Sequence, residues 1–224
     1  MEPRLLESRR SFTWKGLFFQ WEWLLVLLIF AVFVMNASLS EYFLDYGNLR
    51  DATMGFLDKA FIVLPMVLVI LMADIDISVA SIVALSSVVM ADLYTHGLPM
   101  EWAMLVCLAV GTVCGWLNGF LIVKFKELSA VIITLATMIL YRGIAYILLE
   151  DQAAGKFPSW FKFLGWGYVG GIPFILLVFA VFAVIFWYLL HRTTFGRRVY
   201  AIGSNPTAAL FSGVQVDRIK IIVF

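Results

Sequence analysis

Long apolar runs recur along this sequence and constrain its fold more than any other feature. A helix that crosses the hydrocarbon core of a membrane needs about 20 mostly apolar residues. The runs lie at residues 21–35, 56–72, 77–91, 102–123, 130–149 and 172–190. Hydrophobic residues make up 63% of the chain and charged residues 14%, whereas soluble domains have about 45–50% and about 25%. The sequence therefore predicts an all-α, polytopic transmembrane helix bundle of about six spans.

The last residues, 219–224, have the composition of the start of a seventh span. We therefore expect the chain to be the N-terminal part of a longer protein or a truncated product. The predicted regions are an N-terminal tail (1–20), a transmembrane bundle (21–190), a polar loop with a short helix (191–218) and the start of a further span (219–224).

Basic residues are concentrated in three segments that a six-span count places on one side of the membrane. These residues are Arg4, Arg9, Arg10 and Lys15, then Lys124 and Lys126, then Arg192, Arg197, Arg198, Arg218 and Lys220. Because loops rich in Lys and Arg stay in the cytoplasm, the pattern predicts a cytoplasmic N-terminus and a multi-pass protein of an inner or plasma membrane. The chain has no long basic tract, which argues against a nucleic-acid partner.

Two carboxylates, Asp74 and Asp76, lie between the second and third apolar runs, close to the membrane. They are costly there unless they face water, a cation or the amides of a helix N-terminus. Asp76 and Ser78 have the spacing of an N-cap pair for the third helix. A capped cytoplasmic turn and a role in a translocation pathway or in energy coupling both remain open.

The fourth and fifth runs contain polar residues that could also belong to a translocation pathway. Thr134, Thr137 and Tyr141 share one face of the fifth helix because they follow a spacing of three and seven residues. Arg142 would cost about 2.5–3.5 kcal/mol in contact with lipid, so we expect it to point inward, towards a carboxylate or water. For Arg142 the alternative is a structural ion pair, and for Asn118 it is a hydrogen bond between helices.

The loop after the sixth run contains signals for a short helix of its own. Asn205 is a good N-cap, Pro206 suits the first helical position, and Gly213 suits the end. The body of this helix is barely two turns long and would not be stable alone in water. Leu210 and Phe211 would be exposed on it, which favours a groove on a cytoplasmic partner. The alternative is a helix that lies against the inner surface of its own bundle.

No pattern in the sequence indicates catalysis, a metal site or a cofactor. The printed sequence contains no G-x-x-x-x-G-K-[ST] stretch, with which a chain cradles nucleotide phosphates. Cys107 and Cys114 lie in one apolar run, too far apart on a helix to form a disulfide, and we interpret them as packing residues. The sequence therefore favours a transport subunit that is not an enzyme.

Residues 195–214 resemble the coupling loop of sugar permeases in bacterial ATP-binding-cassette importers of the ribose, xylose, rhamnose and autoinducer-2 group. That group carries F-G-R-x-x-Y-A-I-G-x-N-x-x-A-A-x-x-S-G-V, which this stretch matches. Residues 75–79, 117–119, 134–137 and 141–143 are similar to the group's I-D-L-S-V, L-N-G, T-L-G-T and Y-R-G strings. Ala80 and Ala136 stand where the group has glycine, and Asp74 where it often has glycine. Residues 149–158 look most like rhamnose-type permeases.

The resemblance implies a permease subunit that works with a second permease subunit, two cytoplasmic ATPases and a periplasmic sugar-binding protein. It implies that the coupling loop docks into the ATPase, through Gly203, Asn205, Ala208, Ala209, Leu210, Phe211 and Gly213. The candidate pathway residues are Asp76, Asn118, Thr134, Thr137 and Arg142. The rival hypotheses are an ion-coupled secondary transporter that uses Asp74, Asp76 and Arg142, and a membrane-anchored sensing subunit. The sequence does not identify the sugar.

Overall fold

The computed structural model describes residues 22–149 and 156–224, which are almost entirely helical. In chain order the helices are α1 (Glu22–Leu39), α2 (Tyr46–Leu71), α3 (Val79–Thr95), α4 (Met100–Lys124), α5 (Ala130–Leu149), α6 (Ser159–Trp166), α7 (Phe174–Arg192), α8 (Thr194–Ser204), α9 (Pro206–Phe211) and α10 (Val216–Val223). A hairpin of β1 (Tyr168–Val169) and β2 (Ile172–Pro173) lies between α6 and α7. The predicted all-α class is confirmed.

Four of the described helices, α2, α4, α5 and α7, are long and apolar enough to cross a membrane. The apolar part of α1 (Trp23–Leu39) and the helix α3 are shorter. These six helices follow the order of the six predicted spans. Many of their large apolar side chains are exposed, as expected of a bundle whose solvent is lipid.

The chain divides into two compact units, residues 1–53 and 54–224. Helix α2 begins in the first unit and continues into the second. The features that bear on function in the following paragraphs all belong to the second unit.

Helices α3, α4 and α5 pack together and enclose one of the apolar clusters of the second unit. Leu85 of α3, Cys114 of α4, and Tyr141 and Ala145 of α5 are all buried in it. Two of these side chains are small, which lets the helix backbones approach closely, as membrane helices generally require.

A larger cluster lies where α2 and α7 end and where α8, α9 and α10 follow. It is formed by Leu68, Val69, Met72, Leu190, Val199, Ile202, Ala209, Ile219 and Val223. We call this region the coupling end of the bundle. It brings the turn between α2 and α3, the loop between α4 and α5, and the segment 194–223 to one side. The loop after α4 and the segment 194–223 are two of the basic segments that the six-span count places on one side of the membrane. The basic N-terminal tail lies outside the described residues.

Helix α8 was not predicted, because residues 194–204 were read as part of a polar loop. Thr193 is its N-cap and accepts a hydrogen bond from the backbone N–H of Gly196 at 3.2 Å. Phe195, Val199 and Ile202 follow helical spacing, and the last two are fully buried. That spacing is the signal that could have identified the helix.

The hairpin before α7 pairs Tyr168 with Pro173 and Val169 with Ile172. Gly170 and Gly171 connect the strands with φ angles of 59° and 83°. Two consecutive residues with positive φ are the requirement of the tight hairpin turn that follows the twist of the strands, and glycine meets it without strain.

Candidate functional site

A chain of hydrogen bonds connects α3, α4 and α5 in the interior of the bundle. The side-chain amide of Asn118 donates to the Ser78 hydroxyl at 2.7 Å, and that hydroxyl donates to Oδ1 of Asp76 at 2.6 Å. The Tyr141 hydroxyl lies 3.1 Å from both Oδ1 of Asn118 and the carbonyl of Cys114. All four of the side chains are buried, and those of Ser78 and Asn118 are fully buried. These residues therefore act as one polar network between helices.

The geometry at Asp76 differs from the predicted N-cap pair. Ser78 occupies the N-cap position of α3, but its side chain makes no capping hydrogen bond. Oδ1 of Asp76 accepts from both the backbone N–H and the hydroxyl of Ser78, at 2.8 and 2.6 Å. The Asp76 carboxylate therefore bonds Ser78, the residue before the helix, and not the backbone amides of the first helical turn. The predicted capping of those amides by Asp76 and Ser78 was wrong.

Thr134 and Thr137 lie on the buried face of α5 with Tyr141, as their spacing predicts. Oγ1 of Thr134 donates to the carbonyl of Ala130 at 2.9 Å and accepts from the backbone N–H of Ile77 at 3.3 Å. Thr134 therefore fixes the non-helical segment before α3 against the first turn of α5. The hydroxyl of Thr137 donates to the carbonyl of Thr134.

Asp74 forms an ion pair with Lys220 at the coupling end, with Oδ2 and Nζ 2.6 Å apart. The two side chains are only 15% and 21% exposed. Of the three environments expected for a carboxylate here, which are water, a cation and the amides of a helix N-terminus, Asp74 has the cation. A second pair joins Lys126, in the loop after α4, to Asp217 of α10 at 2.9 Å. Both pairs border a cavity of about 630 Å³ between that loop, α9 and α10.

Helix α9 has the boundaries that the sequence predicts, to within a residue. The side chain of Asn205 accepts from the backbone N–H of Ala208 at 3.0 Å, Pro206 is the first helical residue, and Gly213 has a φ of 81° after the end. Ala209 is buried in the cluster of the coupling end, which orients the helix. Leu210 and Phe211 are 59% and 87% exposed. Helix α9 is therefore anchored by one small side chain and presents two large apolar ones outward.

Two helices of the coupling end depend on glycines at close contacts. A Cβ atom at Gly203 of α8 would lie 1.7 Å from the carbonyl oxygen of Leu71, the last residue of α2. Gly115 and Gly119 of α4 form a G-x-x-x-G pair that the sequence analysis missed. Added Cβ atoms there would lie 2.5 Å from the carbonyl oxygen of Phe224 and 2.8 Å from the Cα of Ile221. Glycines four residues apart let helices pack backbone to backbone in membranes, which is the signal that could have indicated this contact.

Arg142 does not point into the interior of this chain and has no carboxylate partner among the described residues, whereas the expected contact with water stays a prediction. Its side chain is exposed, and its guanidinium carbon lies 5.5 Å from the ring centre of Tyr146. The preceding residue, Tyr141, occupies the buried face of α5, and successive residues of a helix are about 100° apart. Within the described part of the chain, Arg142 forms no ion pair.

Two charged residues in the middle of α2 were also missed. Asp58 and Lys59 occupy the two central positions of this 26-residue helix, and both are exposed. They lie inside the range that the sequence analysis assigned to the second span. Charged residues within a predicted span are rare and mark functional sites by default, so their position in the sequence was a sufficient signal.

The chain is similar to known transport proteins. Residues 53–224 match the family described as "Branched-chain amino acid transport system / permease component". The chain is 33% identical over 204 residues to the autoinducer 2 import system permease protein LsrD of Escherichia coli strain K12 and to that of Shigella flexneri. It is 32% identical to LsrD of Escherichia coli strain SMS-3-5. In each case the alignment covers 88% of this chain and 62% of the relative. No solved structure matches the chain significantly.

The matched range contains the buried network, the coupling end and the charged residues of α2 and α5. A match over most of the chain, together with a multi-pass helical bundle, decides the family. This chain belongs to the permease components of the branched-chain amino acid transport family.

Proposed function

We propose that the chain is a membrane-spanning permease subunit of an ATP-binding-cassette importer, with α9 as the element that docks into a cytoplasmic ATPase. The observation that carries the proposal is the exposure of Leu210 and Phe211 on a helix that is otherwise capped and anchored. Two adjacent large apolar side chains on a polar surface are typical of a protein interaction site. The alternative, in which α9 covers these side chains against its own bundle, lacks support because both are exposed.

The contacts of α9 also suit the transmission of a movement. Gly203 seats α8 directly on the last residue of α2, and Asn205 connects α8 to α9 without a spacer. On the other side, α10 is joined by ion pairs to the turn before α3 and to the loop after α4. A displacement of α9 by an ATPase would therefore reach α2, α3 and α4 through packed contacts.

The proposed partners are two cytoplasmic ATPase subunits, a second permease subunit and a periplasmic solute-binding protein. The basic residues of the coupling end favour a cytoplasmic location of that end, and with a count of six spans we propose a cytoplasmic N-terminus as well. The proposed solute is a sugar or a molecule of similar chemistry, because the relatives named above are autoinducer 2 import permeases. Rhamnose is one sugar that this proposal includes.

The site residues divide into two proposed roles. The residues proposed for ATPase coupling are Gly203, Asn205, Ala208, Ala209, Leu210, Phe211 and Gly213. The residues proposed for the translocation pathway are Asp76, Asn118, Thr134, Thr137 and Arg142. In the described state Asp76 and Asn118 are both hydrogen-bonded to Ser78, and Thr134 to the backbone N–H of Ile77, so their part in the pathway is to position the helices that border it.

An ion-coupled transporter is the weaker alternative. Its coupling groups would be Asp74, Asp76 and Arg142, but Asp74 is paired with Lys220 and Asp76 is held by Ser78. A carboxylate that takes up and releases an ion during transport needs access to water, and the side chain of Asp76 is buried. The exposed pair on α9 would also have no purpose in that mechanism.

Uptake measured under two energy conditions distinguishes the two mechanisms. Membrane vesicles that contain the chain, the ATPase and the binding protein are supplied with labelled ribose, rhamnose and autoinducer 2. We expect uptake of one of these solutes that requires internal ATP and persists when a protonophore collapses the proton gradient. Uptake that continues without ATP and stops with the protonophore would reject the proposal.

A further inference from the structure

Three charged side chains lie on exposed surfaces deep within the membrane-spanning helices. Arg142 is twelve residues beyond the start of α5, which is about 18 Å along the helix axis at 1.5 Å per residue. Asp58 and Lys59 lie twelve to thirteen residues before the end of α2, which is about 18–20 Å. Both distances start at the coupling end, where Leu71 and Ala130 lie. The three charges are therefore at a similar depth, within a hydrocarbon core about 30 Å thick.

Lipid is a poor environment for any of the three. A charge at the centre of a spanning helix costs about 2.5–3.5 kcal/mol by insertion measurements. Pairing within the chain does not remove this cost, because no ion pair of the described residues includes Asp58, Lys59 or Arg142. The nearest polar partners are local ones. Nζ of Lys59 lies 3.4 Å from the carbonyl of Gly55, and the guanidinium of Arg142 lies over Tyr146.

The chemistry of the three side chains and of Tyr146 favours an aqueous surface over a contact with a second protein. Asp58 accepts hydrogen bonds, while Lys59 and Arg142 donate them. The Tyr146 ring offers an apolar face, and the Arg142 guanidinium beside it offers hydrogen-bond donors. Such a mixture suits water and a small hydrophilic solute, whereas the core of a stable protein interface is depleted of lysine and aspartate.

From this placement we propose that the exposed faces of α2 at Asp58 and Lys59 and of α5 at Arg142 and Tyr146 line one water-filled path. A small hydrophilic solute passes along this path. The proposal rests on the proposed function, because it assigns a surface to the solute that the permease moves. It also predicts which faces are not in the path. Leu140 is exposed, but helical spacing places it roughly opposite Arg142 around α5, so it faces lipid or protein.

Cysteine accessibility tests the path position by position. Cys107 and Cys114 are first replaced by alanine. Single cysteines are then introduced as Asp58→Cys and Arg142→Cys, with Leu140→Cys as the control at a similar depth. Cells that carry the chain with its transport partners are treated with a cationic, membrane-impermeant methanethiosulfonate. We expect positions 58 and 142 to react at least about tenfold faster than position 140, because the reagent reaches only thiols in contact with water and reacts with the thiolate.

Equal rates at all three positions, whether fast or slow, would overturn the proposal, as would faster reaction at position 140. Where Arg142→Cys fails to assemble with its partners, Tyr146→Cys takes its place on the same face. The wild-type uptake measurement keeps this result separate from the proposed function. If uptake requires ATP and the cysteines react at equal rates, only the proposed path is contradicted. If positions 58 and 142 react faster and uptake does not require ATP, only the proposed role of the ATPase is contradicted.

Discussion

The side-chain amide of Asn118 lies 2.7 Å from the hydroxyl of Ser78, 40 residues earlier in the chain. This hydrogen bond joins the middle of the membrane bundle to the residue at which α3 begins. Because Asp76 and Tyr141 extend it in both directions, the three helices that pack most closely share one set of polar contacts. The network orders the segment before α3 inside the bundle, because Asp76 accepts from the backbone N–H of Ser78 and Thr134 accepts from that of Ile77.

Replacing Asn118 by leucine should destabilise the bundle without preventing membrane insertion. The substitution removes the donor to Ser78 and one acceptor of Tyr141 while it keeps a similar volume. Hydrogen bonds between membrane helices contribute about 0.6 kcal/mol on average and up to about 1.7 kcal/mol, so we expect a loss of about 1–2 kcal/mol in thermal unfolding in detergent.

Thr112→Val is the matched control for that variant, because Thr112 is exposed on the same helix and bonds only its own turn, at the carbonyl of Leu108. It should change stability by a few tenths of a kcal/mol. Equal effects of Asn118→Leu and Thr112→Val would show that the network contributes nothing specific. The double variant Asn118→Leu/Tyr141→Phe should lose less than the two single changes added together, since both remove the same hydrogen bond.

Substitution of Gly203 by alanine should loosen the contact between α8 and α2. The new methyl group would lie 1.7 Å from the carbonyl oxygen of Leu71, so the helices must separate. Inserting a carbon into a packed contact costs typically about 1–3 kcal/mol. We expect a lower unfolding temperature and weaker stimulation of ATPase activity by solute.

Gly143→Ala serves as the control for the glycine contact, because nothing lies within 4 Å of the added carbon and the residue is helical. Alanine there should leave stability unchanged or raise it by up to about 1 kcal/mol, since alanine favours the helix over glycine. A Gly203→Ala variant as stable and as strongly stimulated as Gly143→Ala would contradict the close seating of α8 on α2.

Exchanging the charges of Asp74 and Lys220 tests whether their ion pair stabilises the coupling end. Each single change, Asp74→Lys or Lys220→Asp, leaves two like charges close together and largely buried, and should lower the unfolding temperature. The double variant should recover part of the loss, with a coupling energy on the order of 0.5–3 kcal/mol. The same exchange between Lys126 and Asp217, which are 67% and 52% exposed, should couple by less than about 1 kcal/mol. Strictly additive effects at positions 74 and 220 would refute the pair.

The features that the sequence predicts correctly are the local ones. The six apolar helices follow from run length, the buried face of α5 follows from the spacing of Thr134, Thr137 and Tyr141, and α9 follows from Asn205, Pro206 and Gly213. Each of these depends on interactions within a few residues, which a single sequence contains.

Some features that differ from the sequence-based expectations depend on how distant segments meet, and others have local signals. The partner of Asn118 is decided by the packing of α3 against α4, which no local pattern specifies. The cost of lipid contact predicts that Arg142 avoids lipid, but it does not say on which side of α5 the residue lies. Arg142 is about 100° around the helix from the buried Tyr141, on the exposed side of α5. Helix α8 and the pair Asp58 and Lys59 could have been found, because their signals lie in the sequence itself.

The docking of α9 into an ATPase is tested most directly by co-purification of the two proteins. Leu210→Asp and Phe211→Asp place charges where two apolar side chains are exposed, whereas Leu210→Met and Phe211→Leu keep an apolar surface of similar size. We expect the aspartate variants to insert in the membrane but to lose the ATPase during purification, and the conservative variants to retain it. Undiminished recovery of the ATPase with both aspartate variants would contradict the account.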